Sequence, residues 1–360
     1  MPAIYGGPET CAREVAIRLA ARGHDVTAYC RPGYYDDAVK MYEGVHRVVL
    51  PTIRTTATET YFHTFVSIAH AVIRRADVVL IFNPGVGGLS MIARAFGVPV
   101  VLNPDGFDWR RAKWGRFAKW FIKTNAWLST KVCNQLITDS VTICEFYNDD
   151  WNCTPRARYI PYGAPIEPET GGEDVDAVLR KYGVEDRKYF FFLSRHVPEN
   201  SCAEILEGFE LLNEPGIKLL FGGGGESEYA QTLRRHASES ILMPGVIQDE
   251  REVAVLHRHC YAVIHGNQPG GTSLGLLKAM GYGCCVATPD TPDNRYVVDK
   301  TGYTYGVDPK SVCKVLHEML SDPDEVLHRG QLASRRIQEH YDWEVVTDQY
   351  LETIETVVRR

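Results

Sequence analysis

The stretch that decides the fold begins at His265 and lies between two apolar runs, 261–264 and 285–288. It reads His265-Gly266-Asn267-Gln268-Pro269-Gly270-Gly271-Thr272-Ser273-Leu274-Gly275-Leu276-Leu277-Lys278-Ala279-Met280. This order indicates a strand, a glycine-rich turn, a helix and a second strand. Such a turn leaves backbone N–H groups unpaired at the positive end of the helix dipole. That arrangement suits a phosphate or a diphosphate.

The same alternation of strands and helices continues on both sides of this stretch. In the first half, apolar runs predict strands at 25–30, 45–50, 77–82, 98–103, 135–138 and 158–160. Helices are predicted at 9–22, 59–75, 88–96, 111–129 and 140–147. In the second half, further strands are predicted at 189–193, 217–221 and 241–243, with helices at 201–212, 228–237 and 249–258. The pattern is typical of parallel α/β sheets covered on both faces.

The length of 360 residues predicts about two domains. Residues 165–174 are rich in proline, glycine and acidic side chains, which is typical of a linker. We therefore predict a first domain over 1–164, a linker over 165–187 and a second domain over 188–341. The last segment, 342–360, is predicted to contain an amphipathic helix over 343–358.

Composition excludes several classes of function. The net charge of −7 argues against a nucleic acid as the main partner. The ten cysteines form no Cys-x-x-Cys pair, so we expect reduced thiols and no metal site. The sequence has no apolar run of membrane-spanning length and begins without a basic and then apolar leader. These features predict a cytoplasmic protein.

Two stretches of the first half are candidate ligand loops. The turn before the first helix, Tyr5-Gly6-Gly7-Pro8-Glu9-Thr10, lets a ligand approach the backbone closely, or it is an ordinary turn. The second stretch follows a strand and reads Asn103-Pro104-Asp105-Gly106-Phe107-Asp108-Trp109-Arg110-Arg111-Ala112-Lys113-Trp114. Its aromatic rings suit the apolar faces of sugars, and its cations suit phosphate. The alternative is a helix start that Asp105 caps, followed by a solvated cationic face.

The second half has three further candidates. Ser194-Arg195-His196-Val197-Pro198-Glu199-Asn200 follows a strand, and the Arg195 guanidinium suits a diphosphate unless it is an ordinary surface cation. Gly222-Gly223-Gly224-Gly225 would line a base or a ribose, or form a flexible turn. His265 would hydrogen-bond a sugar or a phosphate, or serve as a satisfied core histidine.

Together these motifs resemble the retaining glycosyltransferases of family 4, and most closely their rhamnosyltransferase branch. The resemblance implies the GT-B fold, in which two Rossmann-like, doubly wound parallel-sheet domains face each other across a cleft. It also implies that the C-terminal helix crosses back to the first domain. The expected reaction moves a sugar, rhamnose or another hexose, from a nucleoside diphosphate sugar to a glycan or lipid-linked acceptor in polysaccharide biosynthesis. Retention of configuration is expected, with no metal or other cofactor.

The resemblance also implies the site residues. The catalytic candidates are Arg195, His265 and Asp105. The donor-binding candidates are Gly6, Gly7, Arg195, Asn200, Gly223, Gly270, Gly271, Thr272, Ser273 and Lys278. The acceptor-binding candidates are Asp105, Asp108, Trp109, Arg110, Lys113 and Tyr162. Residues 111–123 mix cations with aromatic rings and are a candidate contact with a membrane surface.

The sequence departs from this family at two places. Lys278 stands where the family has a glutamate, and would bind a phosphate or Asp290 instead. The sequence also begins inside the first loop, so the central first strand is expected to be absent. Such a gap would cost about 1–3 kcal/mol for each unpaired buried backbone group, and we expect either a longer natural chain or a rearranged sheet.

Both departures support an alternative function, a non-catalytic nucleotide-sugar or glycan-binding protein. An epimerase or dehydrogenase is disfavoured because the sequence has no Gly-x-Gly-x-x-Gly turn and no Tyr-x-x-x-Lys pair.

Overall fold

A computed structural model describes residues 6–55, 58–110, 114–164, 174–225, 227–268 and 271–359. The chain divides into two compact units. Unit 1 comprises Met1–Tyr162 and Trp343–Arg360, and unit 2 comprises Gly163–Asp342. Each unit is built on parallel strands with helices between them, which confirms the predicted α/β class.

Unit 1 alternates strands and helices from its first described residue. Its elements are α1 (Gly6–Ala21), β1 (Thr27–Cys30), β2 (Met41–Tyr42), β3 (Val45–Val49), α2 (Glu59–Ile73), β4 (Val79–Phe82), α3 (Ser90–Ala95), β5 (Val100–Asn103), α4 (Arg116–Val132), β6 (Gln135–Thr138), α5 (Val141–Glu145) and β7 (Arg158–Tyr159). Two segments predicted as single helices are divided. A 3₁₀ segment, Pro84–Leu89, precedes α3, and a π-helical turn, Phe146–Asp150, follows α5.

The strands of unit 1 form two sheets rather than one. One sheet has the order β1-β3-β2 and the other has the order β4-β5-β6-β7. Helix α1 packs against both β3 and β4, so it contacts both sheets. In the described part of the chain no strand joins β1 to β4. The expectation that the central first strand is absent concerns the start of the chain, where residues 1–5 lie outside the described residues.

Unit 2 contains one continuous parallel sheet. Its elements are α6 (Val175–Tyr182), β8 (Tyr189–Arg195), α7 (Cys202–Leu212), β9 (Lys218–Gly224), α8 (Glu228–Leu233), β10 (Ile241–Gly245), α9 (Glu250–His259), β11 (Ala262–Ile264), α10 (Leu274–Gly281), β12 (Val286–Pro289), α11 (Pro292–Val298), β13 (Tyr303–Tyr305), α12 (Pro309–Ser321) and α13 (Pro323–His340). The strand order is β10-β9-β8-β11-β12-β13. Phe192 and Phe221 stack at 4.1 Å between ring centroids within its core.

The predicted linker over 165–187 needs a correction, because α6 lies within it. The Asp174 side chain caps α6 by accepting a hydrogen bond from the Ala177 N–H at 3.0 Å, and the helix ends at Gly183 with φ of +68°. The Tyr182 hydroxyl donates to Glu252 on α9 at 2.6 Å. Residues 174–187 are therefore part of the folded second unit, and residues 165–173 lie outside the described residues.

The last helix, α14 (Trp343–Val358), packs in unit 1 against α1 and β5. The Tyr350 hydroxyl accepts a hydrogen bond from Asn103 Nδ2 at 3.1 Å, and the ring stacks on Phe82. Arg22 forms ion pairs with Glu344 and Asp348 at 2.6 Å each. Helix α14 therefore belongs to unit 1, the same unit as α1. Among the residues described, none of the helices combines the length and the apolar character needed to span a bilayer.

Candidate functional site

The strand order of unit 2 places a switch point between β8 and β11. From β8 the chain adds β9 and β10 on one side, and from β11 it adds β12 and β13 on the other. In open parallel sheets, ligands bind at such a point, outside the carboxyl ends of the strands. Arg195 is the last residue of β8, and His265 follows the last residue of β11. Two of the predicted catalytic residues therefore lie at the switch point.

The loops that follow β8 and β11 are packed closely together. A Cβ atom on Gly266 would lie 1.9 Å from the Asn200 carbonyl oxygen, so only glycine fits there without a shift. The Ser201 hydroxyl donates to the Gly266 carbonyl at 2.8 Å. The Gln268 N–H donates to the Glu199 carbonyl at 3.0 Å. These contacts fix the two loops relative to each other.

Arg195 and Asn200 have different roles in this arrangement. Asn200 is buried, and its Nδ2 donates to Ser194 Oγ at 2.7 Å and to the Arg195 carbonyl at 2.8 Å. Its amide nitrogen therefore holds the loop together. The Arg195 side chain is exposed and forms no ion pair with any described residue. Its cation is available to an anionic ligand.

His265 has a ring nitrogen whose hydrogen-bonding capacity is unsatisfied among the described residues. Its Nε2 is buried and has no hydrogen-bond partner within the described structure. Burial lowers the pKa of His265 to about 4, so the ring is neutral near pH 7. Its carbonyl accepts from the Tyr305 hydroxyl at 2.7 Å, and its Cε1 lies 3.9 Å from a Cβ built on Gly275 in the first turn of α10. A neutral imidazole at this place can exchange one hydrogen bond with a ligand.

The glycine-rich segments follow this rim. Gly223 has φ of +111°, and its Cβ would lie 1.8 Å from the Ser194 carbonyl oxygen. It therefore permits β9 to run close beside β8. Gly271 also has positive φ, +115°, and leads to the buried Thr272. Ser273 precedes α10 in extended conformation without capping it through its side chain, and Gly270 lies outside the described residues.

Lys278 is held by a carboxylate from the neighbouring helix. Its ammonium pairs with Glu250 at the start of α9 and lies 5.9 Å from the Tyr282 ring centroid. Asp290 is paired with Arg295 at 3.0 Å. The expected alternative of a Lys278–Asp290 pair is therefore wrong, because each partner is engaged elsewhere.

Unit 1 brings a second set of predicted residues together. The Tyr162 hydroxyl donates to Asp105 Oδ1 at 3.0 Å. A Cβ on Gly7 would lie 2.5 Å from the Tyr162 ring, and Gly6, which begins α1, has φ of +77°. Asp105 itself has φ of +57°, and its N–H donates to Asn103 Oδ1 at 2.8 Å. The first loop and the loop after β5 therefore meet at Tyr162.

Sequence reasoning missed two members of this unit 1 cluster. Asp139 follows β6 and is 1% exposed, and Tyr350 comes from α14. Burial raises the pKa of Tyr162 well above its ordinary value, and the negative charges of Asp139 and Asp105 add to that shift. A carboxylate directly after a buried strand was the available signal for Asp139. No local signal identifies Tyr350, because its contacts are made with residues more than two hundred positions away.

The segment Asp108–Arg110 differs from the predicted acceptor surface. Trp109 is 7% exposed and stacks on Trp151 at 5.4 Å between ring centroids. It thus belongs to an aromatic core and offers no free face to a sugar. The Arg110 guanidinium covers the Phe107 ring at 4.1 Å, and Asp108 is half-buried. Lys113 lies outside the described residues.

No group of three or more histidine, cysteine, aspartate or glutamate side chains in the described ranges is placed to hold a metal ion.

Two domain families match the chain. Residues 6–163 match the Glycosyl transferase 4-like domain, and residues 174–336 match Glycosyl transferases group 1. No curated protein gives a sequence match.

Solved structures resemble the chain over nearly its whole length. A sucrose-phosphate synthase from Thermosynechococcus elongatus is 16% identical, with a TM-score of 0.79 over 98% of this chain and 93% of that one. Anabaena Alr3699/HepE, solved in complex with UDP and glucose, is 13% identical, with a TM-score of 0.79 over 98% and 97%. An α,α-trehalose-phosphate synthase from Burkholderia vietnamiensis is 11% identical, with a TM-score of 0.69 over 96% and 98%. At these identities the likeness concerns the fold, and it confirms the predicted GT-B type.

Proposed function

The chain belongs to the glycosyltransferases, because domain models of that class match both of its halves, and from this we propose that it transfers a sugar from a nucleoside diphosphate sugar. The acceptor in this proposal is a glycan or a lipid-linked sugar. The sugar is rhamnose or another hexose, by resemblance to the rhamnosyltransferase branch. The Anabaena protein named above was also solved in complex with UDP-glucose, which supports a nucleotide donor.

One observation supports the proposed donor site in unit 2. At the switch point of unit 2, Arg195 ends β8 with no ion pair to a described residue, and His265 follows β11 with an Nε2 that has no hydrogen-bond partner among the described residues. The His265 ring lies close to the first turn of α10. The N–H groups in the first turn of α10 and the positive end of its dipole favour an anion. These groups together suit the diphosphate of the donor, with Thr272 and Ser273 lying next to that helix start.

The proposed chemistry breaks the bond between the anomeric carbon and the diphosphate oxygen, and its electron pair leaves with the nucleoside diphosphate. The acceptor oxygen forms the new bond to the anomeric carbon, and the acceptor proton passes to the departing phosphate. Arg195 would lower the barrier because it stabilises the charge that grows on that phosphate. Retention without a metal ion is the expectation from the resemblance, and no protein general base is assigned.

Unit 1 is proposed to bind the acceptor. Its candidate polar contacts are Asp105 and Tyr162, which share a hydrogen bond beside the glycine turn at Gly7. Of the two, the Asp105 carboxylate is the candidate acceptor of a hydrogen bond from a sugar hydroxyl, since each carboxylate oxygen carries two lone pairs. Trp109 is not included because it is buried.

The test is a melting experiment with uridine, thymidine, guanosine and adenosine diphosphates. One of them at about a hundred times its Kd should stabilise the protein by about 2.7 kcal/mol. Arg195→Ala should reduce that shift strongly. Lys188→Ala is the matched control, because Lys188 precedes the opposite end of β8 and carries the same charge. If no nucleoside diphosphate raises the melting temperature, the proposed donor site is wrong.

A non-catalytic binding protein remains the second candidate, and Lys278 favours it. The cation cannot accept the hydroxyl hydrogen bonds that a carboxylate accepts, and it is engaged with Glu250. The same samples distinguish the two functions. An enzyme should release free sugar slowly from the donor that it binds, whereas a binding protein should show the melting shift with no hydrolysis above that of an Arg195→Ala sample.

A further inference from the structure

Helix α4 exposes a surface that neither the donor site nor the acceptor site uses. Its outward residues are Arg116, Phe117, Trp120, Lys123 and Trp127, which we call the α4 stripe. Phe117 is 75% exposed, Trp120 is 60% exposed and Trp127 is 45% exposed. The spacing of these residues by three, four and seven positions places them along one side of the helix.

The stripe is fixed outward because the opposite side of α4 is clamped into unit 1. A Cβ on Gly87 would lie 2.5 Å from the Asn125 carbonyl oxygen. The Gly88 N–H donates to Asn125 Oδ1 at 3.1 Å, and Ser129 is fully buried. Rotation of α4 to bury its aromatic rings would break this close packing. The exposed rings are therefore a stable property of the folded unit.

The charge of α4 is opposite to that of the whole chain. The helix carries Arg116, Lys119, Lys123 and Lys131 and has no aspartate or glutamate, while the net charge of the chain is −7. Of these cations, Arg116, Lys119 and Lys123 form no ion pair with a described residue. Lys131 instead contacts the carbonyls of residues 151 and 152 at 3.5 and 3.4 Å.

We propose that the α4 stripe docks on an anionic lipid surface. Tryptophan and phenylalanine rings gain free energy at the boundary between headgroups and acyl chains, and nearby cations gain it from lipid phosphates. A neutral sugar polymer would contact the rings but would not require the cations of Arg116 and Lys123 on the stripe or that of Lys119 next to it. An anionic lipid surface interacts favourably with both the aromatic rings and the cations. The proposal is independent of the donor site, since it concerns a surface without Arg195 or His265.

The experiment is co-sedimentation of the full chain with vesicles. Vesicles of phosphatidylglycerol and phosphatidylcholine in equal parts should bind the protein, and vesicles of phosphatidylcholine alone should bind it much less. Added salt should weaken the binding, because screening reduces the attraction of the cations to the lipid. Each cation replaced by glutamine among Arg116, Lys119 and Lys123 should weaken binding about fivefold.

The aromatic part is tested separately. The double substitution Phe117→Ser and Trp120→Ser should reduce vesicle binding by roughly tenfold or more. Its matched control is Leu211→Ser with Leu327→Ser, which removes two exposed apolar side chains from unit 2. The charge control is Lys188→Gln, Lys300→Gln and Lys310→Gln, three exposed cations of unit 2. Both controls should bind as the parent does.

A spectroscopic readout places the stripe at the lipid. Brominated phosphatidylcholine mixed into the anionic vesicles should quench tryptophan fluorescence, and Trp120→Phe with Trp127→Phe should remove most of that quenching. Unfolding midpoints of all variants without lipid establish that they fold. The proposal is overturned if the parent protein does not bind anionic vesicles. It is equally overturned if variants with substitutions in the α4 stripe fold and bind these vesicles as tightly as the parent does. It is also overturned if binding does not depend on lipid charge.

Discussion

At the scale of the residue, close backbone contact determines how the loops of unit 2 meet. Gly266 lies where any side chain would enter the Asn200 carbonyl. Asn200 in turn holds the end of β8 through Ser194 and the Arg195 carbonyl. The position of Arg195 therefore depends on a glycine that lies 71 residues later in the chain.

We predict that Gly266→Ala destabilises the protein by about 3 kcal/mol, because a Cβ at 1.9 Å from a backbone oxygen forces the two loops apart. Gly275→Ala is the control in the same segment. Its Cβ would make only ordinary contacts at 3.8 and 3.9 Å, and alanine favours the helix by about 0.5–1 kcal/mol. Urea unfolding of both variants measures the difference. Equal stability of the two would contradict the packing described here.

At the scale of the element, α14 is held to unit 1 by a buried polar contact. Tyr350 accepts a hydrogen bond from Asn103 and lies 3.6 Å from the Cys11 sulfur. Asn103 also accepts from the backbone of Asp105, so the helix supports the loop that carries a candidate acceptor residue. The attachment of α14 thus has a functional consequence as well as a structural one.

Removing the Tyr350 hydroxyl should cost about 1–3 kcal/mol, because the buried Asn103 amide loses its acceptor. Tyr147→Phe is the matched control in the same unit. The Tyr147 hydroxyl is buried without a partner in the described structure, so its loss should be neutral or stabilising. Thermal unfolding of Tyr350→Phe and Tyr147→Phe should move the midpoint in different directions or by clearly different amounts. A larger loss in Tyr147→Phe would show that the assignment of these two hydroxyls is wrong.

The element scale is also where sequence patterns worked well and where they failed. The bounds of β6 and of α14 match the predicted 135–138 and 343–358, since a complete apolar pattern and clear ends mark both. The sequence predicts a linker in place of α6, because the eight residues of this helix carry too few apolar positions to show a helical period. Its capping aspartate and terminal glycine were the signals that could have identified it.

At the scale of the whole molecule, two neutral histidines of unit 2, the buried His257 and the half-buried His265, link folding to pH. Burial lowers the pKa of both His257 and His265 to about 4. In the unfolded chain a histidine titrates near pH 6.5. Between these values the unfolded chain binds protons that the folded chain does not, so stability is complete above about pH 6.5 and falls as the pH decreases towards 4.

We expect the free energy of unfolding to fall by about 2 kcal/mol for each of these histidines between pH 7 and pH 5. Urea unfolding across this range measures it. His257→Gln and His265→Gln should each flatten the profile, whatever they do to stability at pH 7. His317→Gln, at an exposed position on α12, should leave the slope unchanged. A parent whose stability does not change over this range would contradict the prediction.

The sequence by itself determined the α/β class, most strands, the two-unit organisation and the loops at strand ends. These features depend on local periodicity and on glycine and proline signals, which neighbouring residues carry. Only the tertiary structure decided that Trp109 is core, that Lys278 pairs with Glu250 and that the His265 Nε2 has no hydrogen-bond partner among the described residues. It also decided that the described strands of unit 1 divide into two sheets, with β1 in one and β4 in the other. Those facts depend on contacts between residues distant in the chain, and a local pattern does not encode which distant group becomes the neighbour.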